Sequence, residues 1–231
     1  MDQPALDGEP LSGNETRLLL LRHGQTDGNR SGQLLGVTDL PLNEQGRTQA
    51  RSLGAWLRDH RSLDAIFSSD LARARETAAI ITASLGRPLP MHVESDLAEM
   101  NFGEAEGVLI QELAARFPQL SPYVGTALPD HPDWQWPGGD FRFAYYGRVV
   151  TTIERLAAKY RGETVALVTH GGVITGYLHW LTKRVLGFSL DHLVDNCSVT
   201  ELRYVGTEVR VVGVGELPWA TGAEGSLSFA S

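Results

Sequence analysis

The 231-residue chain holds a single cysteine, Cys197. One thiol can build neither a disulfide framework nor a thiolate metal site. In "DNCSVTEL", with no base beside it, Cys197 reads as a small buried residue. No apolar run reaches membrane-spanning length. The opening stretch, "MDQPALDGEPLSGNET", is acidic and lacks the apolar centre of a signal peptide. These absences set the expectation of a cytoplasmic protein with no membrane partner. A surplus of cations is missing too. With 20 Lys and Arg against 28 Asp and Glu, the net charge is -8. Nucleic acid needs a basic field, so it is not expected as a partner, although a local cationic pocket stays open. A helical H-E-x-x-H, an Asp-rich magnesium pattern and a G-x-x-x-x-G-K-[ST] loop are all absent, so no metal and no cofactor are expected.

What is present is an ordinary globular composition, 42% hydrophobic and 21% charged. The length suits one domain with a sizeable core. Residues 1–15 read as a disordered lead, 16–216 as the domain, and 217–231 as a flexible Gly/Ser/Ala tail. Apolar strands alternate with amphipathic helices. Strands are expected at Arg17 to Leu21, Asp64 to Phe67, Met91 to Val93 and in "ETVALVTHGG". Helices are expected over Glu44 to Arg58, in "SSDLARARETAAIITASLG" with Ser68 or Ser69 as cap, over Gln111 to Phe117, over Phe141 to Tyr160, and from His170 to about Leu186. Val199 to Tyr204 and Val209 to Val214 read as a hairpin around Gly206. The alternation implies a three-layer α/β/α sandwich with a mostly parallel central sheet and an antiparallel edge. Pro118 to Asp140 is the least regular region and is expected to be a substrate lid.

The stretch "LLLLRHGQTDGN" ends a buried strand on a cation, a titratable ring and a glycine. A core strand gains nothing from Arg22 or His23. "VTHGG" repeats the design at His170. In open α/β sheets, sites lie beyond the carboxyl ends of strands. Glycines and a helix start there supply free N–H groups and a positive dipole end. Arg22, His23, His170 and Arg73, the last from the first turn of its helix, can therefore line an anion pocket. Arginine suits it, because a planar guanidinium binds two phosphoryl oxygens at once.

"LRHGQTDGN" resembles the R-H-G-x-T-x-x-N signature of the histidine phosphatase superfamily, the phosphoglycerate-mutase-like fold. The resemblance continues in order through "GVTDLPLNEQGRTQA", "IFSSDLARARETA", "DLAEMNFGEAEG", "PGGDF" and "VTHGG". It implies that His23 is the nucleophile that becomes phosphohistidine. Arg22, Arg73 and His170 would clamp the phosphoryl oxygens, with Asn29 and Gly171 adding donors. Glu99 would be the general acid and then the base that activates water. Glu104 is the alternative for that role, and Glu106 is a further neighbour. Two departures bear on the leaving group: the usual "PGGES" is "PGGDF" here, and Ala105 replaces an aromatic before "EG".

The chemistry agrees with these roles. An attacking imidazole must be neutral, and Arg22 and Arg73 disfavour a further positive charge on His23. Fixed arginines can stabilise a phosphoryl transition state without metal. The expected activity is that of a metal-independent phosphomonoesterase, a histidine acid-type phosphatase, acting on a small phosphorylated metabolite. A cofactor-dependent mutase and a non-catalytic phospho-ligand binder are the alternatives. "EMNFGEAEG" resembles the phosphatase form more than the mutase form. The expected lid contains no Lys or Arg, which makes it a poor second phosphate site. A singly phosphorylated substrate with an apolar, aromatic or sugar-like leaving group is therefore expected. "GDFRFAYYGR" reads as a core helix with exposed arginines, and Arg30, Arg142 and Arg148 are cations that could fold toward the pocket.

Overall fold

The computed structural model describes residues 11, 13–118, 135–184 and 194–220. Its strands are β1 (Glu15–Arg22), β2 (Ala65–Ser68), β3 (Met91–Val93), β4 (Thr164–Thr169), β5 (Val199–Val205) and β6 (Glu208–Glu216). Its α-helices are α1 (Asp27–Arg30), α2 (Glu44–His60), α3 (Ala72–Ser84), α4 (Leu113–Arg116), α5 (Arg142–Lys159) and α6 (Gly171–Arg184). The strands form one sheet in the order β3-β2-β4-β1-β5-β6. β1, β4, β2 and β3 pair in parallel, and β5 and β6 add antiparallel strands at one edge. Gly206 turns the β5–β6 hairpin at a φ of 64°, a conformation that side chains disfavour. No helix among the described residues is long and apolar enough to cross a membrane.

The four leucines of β1 are all fully buried, and they serve two cores. Leu18 and Leu20 face Val149, Ile153 and Leu156 of α5 and Val173 and Ile174 of α6. Leu19 and Leu21 face Leu53 and Leu57 of α2 and Ala74, Ala78 and Ile81 of α3. Successive side chains point to opposite sides of a strand, so a strand covered on both faces must be apolar throughout. Each such leucine contributes about 2 kcal/mol of burial. This arrangement is the α/β/α sandwich with a mostly parallel sheet.

Several boundaries differ from the sequence reading. Glu15 pairs with Val205 and starts β1, so it belongs to the sheet and not to the lead. The helix expected over Gln111 to Phe117 is a 3-10 turn, Ile110–Glu112, followed by the short α4. α3 begins later than a Ser68 or Ser69 cap requires, and its N-cap Leu71 makes no side-chain cap bond. Leu217 to Ala220 form a turn on the domain, where Trp219 Nε1 donates to the Cys197 carbonyl at 2.9 Å. Arg142 is buried, with its guanidinium over the Tyr146 ring, so the arginines of α5 are not all exposed. Residues 119–134 of the expected lid, the end of α6 beyond Arg184 and the tail from 221 lie outside the described residues.

Candidate active site

β1 and β4 are neighbours in the sheet, and Arg22 pairs with Thr169 as the last step of their register. The His23 amide then donates to the Thr169 carbonyl at 2.9 Å. Two histidines far apart in sequence must therefore meet, and their ring centroids lie 5.1 Å apart. Gly24 and Gly46 let the turn after β1 press against the start of α2, since a Cβ on Gly24 would overlap the Gly46 backbone and one on Gly46 would overlap the Gln25 backbone. Thr77 Oγ1 accepts from the Gly24 amide at 3.0 Å and donates to the Arg73 carbonyl at 2.7 Å.

His23 is buried, and its Nδ1 donates to the Gly24 carbonyl at 2.7 Å. A carbonyl can only accept, so the proton of the neutral ring is on Nδ1 and Nε2 carries a lone pair. Burial, then Arg73, then Arg22 hold the ring well below its ordinary value of 6.5. The same forces act on His170, where burial and Arg73 lead and His23 follows. Its Nδ1, however, accepts from Arg73 Nε at 3.3 Å. The His170 proton is then on Nε2, which donates to Ser69 Oγ at 2.9 Å.

Arg73 is buried, and each of its three side-chain nitrogens donates one hydrogen bond, which leaves two of its five N–H groups for a ligand. Besides His170, Nη1 donates to the Thr38 carbonyl at 2.9 Å and Nη2 to the Gly36 carbonyl at 2.6 Å. Glu106 holds that loop by accepting from the Val37 and Thr38 amides at 2.9 and 2.7 Å. Glu106 is therefore a buttress of the Arg73 seat. Arg22 donates from Nη1 to the Val194 carbonyl, while its Nε is buried and has no partner among the described residues. A Cβ on Gly171 would sit 3.7 Å from that Nε. Burial lowers both guanidiniums from their ordinary value, and the Glu99 charge opposes the shift most in each. Asn29 Oδ1 accepts from the Thr26 amide and hydroxyl at 3.1 and 3.0 Å. Its Nδ2 is left uncommitted among the described residues.

Glu99 is reached through a 3-10 turn, Ser95–Leu97, that follows β3. Thr169 Oγ1 pins this turn to the end of β4 by donating to the Leu97 carbonyl at 2.7 Å. Glu99 is 6% exposed. Its Oε1 accepts from the Met100 amide at 2.9 Å and from the Tyr145 hydroxyl at 2.7 Å, and its Oε2 accepts from the Gly172 amide at 2.8 Å. A Cβ on Gly172 would overlap this carboxylate. Glu104 is exposed. "PGGDF" packs on the next segment, where Asp140 Oδ2 accepts from the Asn101 amide at 2.9 Å. Trp136 meets Phe102 edge-on at 4.9 Å.

The structure therefore gathers Arg22, His23, Arg73, Glu99, His170 and Gly171 at one end of the sheet, with Asn29 linked to it through Asn196. The Asn196 Nδ2 donates to the His23 carbonyl at 2.9 Å and reaches Asn29 Oδ1 at 3.4 Å. Sequence reasoning missed Asn196, which lies in the same "DNCSVTEL" that drew attention to Cys197. It also missed Ser69, read as a cap, and Tyr145, read as core. Arg30 is mostly exposed beside Asp27, and Arg148 Nη1 is committed to the Asp96 and Ala98 carbonyls. Cys197 is buried, at a φ of 58°, and burial pushes its thiol up.

Comparison with known proteins joins this geometry to a family. The model of the histidine phosphatase superfamily (branch 1) matches residues 18–216. Phosphoglycerate mutase-like protein 4 of Arabidopsis thaliana is 33% identical over 75% of this chain and 74% of its own length. A metal-independent phosphoserine phosphatase of the same plant is 34% identical, over 69% of this chain and 66% of its own. Among solved structures, a mycobacterial glucosyl-3-phosphoglycerate phosphatase in complex with VO3 superposes with a TM-score of 0.69 at 30% identity, covering 86% of this chain and 97% of that one. With matching segments that run from the first strand to the last, the chain belongs to the histidine phosphatase superfamily, branch 1.

Proposed function

We propose that the chain is a metal-independent phosphomonoesterase that passes a phosphoryl group through His23 to water, acting on a small phosphorylated metabolite. The observation that carries this reading is the His23 tautomer: Nδ1–H is spent on the Gly24 carbonyl, so Nε2 offers a lone pair between two guanidiniums. That lone pair attacks phosphorus, an N–P bond forms and the ester P–O bond breaks. The leaving oxygen takes a proton from Glu99. The Gly24 carbonyl meets the positive charge that develops on the phosphorylated ring. Water then attacks phosphorus, its proton goes to the Glu99 carboxylate, and the N–P electron pair returns to Nε2.

The unpartnered Arg22 Nε and the uncommitted Asn29 amide are donors suited to phosphoryl oxygens. Their preorganised positive charge does what a metal would do elsewhere. A relative named as a metal-independent phosphoserine phosphatase supports the same reading. Arg142 and Arg148 are already engaged with the domain. Together with the cation-free 118–140 stretch, this favours a substrate with one phosphate. The test is turnover of an aryl phosphate in excess chelator, with trapping of an acid-labile, base-stable label on the chain. Turnover with label is the expected result. Activity only with a bisphosphoglycerate primer would make the chain a mutase, and tight binding without turnover a phospho-ligand binder.

A further inference from the structure

The acid–base carboxylate is held by more than its own backbone. Tyr145, on the first turns of α5, is fully buried, yet its hydroxyl leaves the apolar face of that helix to meet Glu99 Oε1 at 2.7 Å. The Met100 amide meets the same oxygen at 2.9 Å. A carboxylate oxygen has two in-plane lone pairs, so Oε1 is full. Oε2 receives only the Gly172 amide, at 2.8 Å, and keeps one lone pair free. Burial, and then the Glu99 charge, push the Tyr145 phenol well above its ordinary value of 10.0, so it stays a neutral donor. Arg148 lies over the Tyr145 ring at 5.0 Å and Tyr146 meets it edge-on at 5.3 Å, which fixes the direction of the hydroxyl.

We propose that Tyr145 is a positioning residue which, with the Met100 amide, saturates Glu99 Oε1 and leaves Oε2 as the oxygen that hands the proton to the leaving group and takes one from water. This rests on the reading of Glu99 as the acid–base group. In the first step the Oε2–H bond breaks as the leaving oxygen gains the proton. In the second, Oε2 regains a proton from the attacking water. The other charged or titratable groups facing Glu99 are Arg22 from β1, Arg73 from α3 and Tyr146 from α5, and none of them donates a hydrogen bond to Oε1.

The test is Tyr145→Phe, which keeps the ring and leaves Oε1 still bonded to the Met100 amide. Loss of a donor to a carboxylate favours its neutral form. The limb of the kcat–pH profile that Glu99 governs should therefore move up by about one pH unit. On an alkyl phosphate, kcat should fall about ten-fold, because a hydrogen bond to a charged group is lost. KM should stay within about two-fold, since binding rests on the arginines. An unmoved pH profile with near-normal kcat overturns the proposal, as does a lowered melting temperature with an unmoved profile. Glu99→Gln is the companion measurement. If it leaves the dependence on leaving group unchanged, the assignment of the acid itself fails. If it abolishes turnover of poor leaving groups while Tyr145→Phe behaves as wild type, only the role of Tyr145 fails.

Discussion

The turns after β1 and β4 follow one recipe, strand then histidine then glycine then helix, and the structure gives them opposite hydrogen-bond roles. His23 donates from Nδ1 to the carbonyl of the next residue and keeps Nε2 free. His170 accepts at Nδ1 from Arg73 and donates from Nε2 to Ser69. Both rings are buried beside the same arginines. The fold thus sets where each ring sits, while a single neighbour decides which nitrogen can attack. One ring keeps a free Nε2 lone pair, as the proposed nucleophile must. The other is tied into the cation network, and its N–H must leave Ser69 before it can serve a phosphoryl oxygen.

The sharpest way to break this comparison is to remove each ring in turn. His23→Ala should lower kcat by about a thousand-fold or more, because the proposed mechanism forms its N–P bond at His23 Nε2. No acid-labile label should be trapped by rapid quench. His170→Ala should cost about a hundred-fold, the scale of losing one preorganised donor in a transition-state site. Its label should remain detectable. Equal losses and equal labelling in the two variants would show that the rings share one role.

This asymmetry was not legible in the sequence, although the meeting of these residues at one end of the sheet was. "RHG" and "THGG" at strand ends located both histidines, and the parallel pairing of β1 and β4 brought them together. Arg73 and Glu99 followed from their ordered segments. The tautomers depend on Arg73 Nε and on the Gly24 carbonyl, and no spacing encodes a through-space bond from residue 73 to residue 170. Tyr145 was hidden for a related reason. Its place at helical spacing with Val149, Ile153 and Leu156 marks a core side chain, which it is, but one hydroxyl reaches past the core. Arg142 looked solvated because charge usually is, whereas Tyr146 gives it a buried seat. Most of the fold was read correctly, since strands covered on both faces leave long apolar runs. The errors were at element ends, where side-chain bonds compete with periodicity.

The pH dependence sharpens the comparison further. Both imidazoles titrate well below 6.5 in the folded chain. His23 therefore stays neutral, and able to attack, as the pH falls below the range where a free imidazole would be protonated. Phosphoenzyme formation, read as burst amplitude with a good leaving group, should hold as the pH falls through 6.5. The unfolded chain does take up those protons, so stability falls as the pH drops below about 6.5. The melting temperature should decline over that window, and less steeply in His170→Asn. A burst that titrates near 6.5 would mean the His23 ring is not shielded.

The smallest expected effect tests the tether itself. Ser69 is fully buried, and its hydroxyl accepts from both the Leu71 amide at 3.2 Å and His170 Nε2 at 2.9 Å. In Ser69→Ala the imidazole keeps its proton on Nε2, because Arg73 still donates to Nδ1, but loses the acceptor that holds that N–H. A neutral hydrogen bond is worth about 1 kcal/mol, so kcat should change by about five-fold. The sign is informative. If the tether orients His170 for the clamp, the rate falls and KM for phosphoesters rises, because the ring that accepts from Arg73 at Nδ1 is no longer held at Nε2. If the tether only parks the N–H away from the ligand, its removal frees that donor and KM falls. The first outcome makes Ser69 part of the preorganised cation network, and the second makes it a latch that substrate must open.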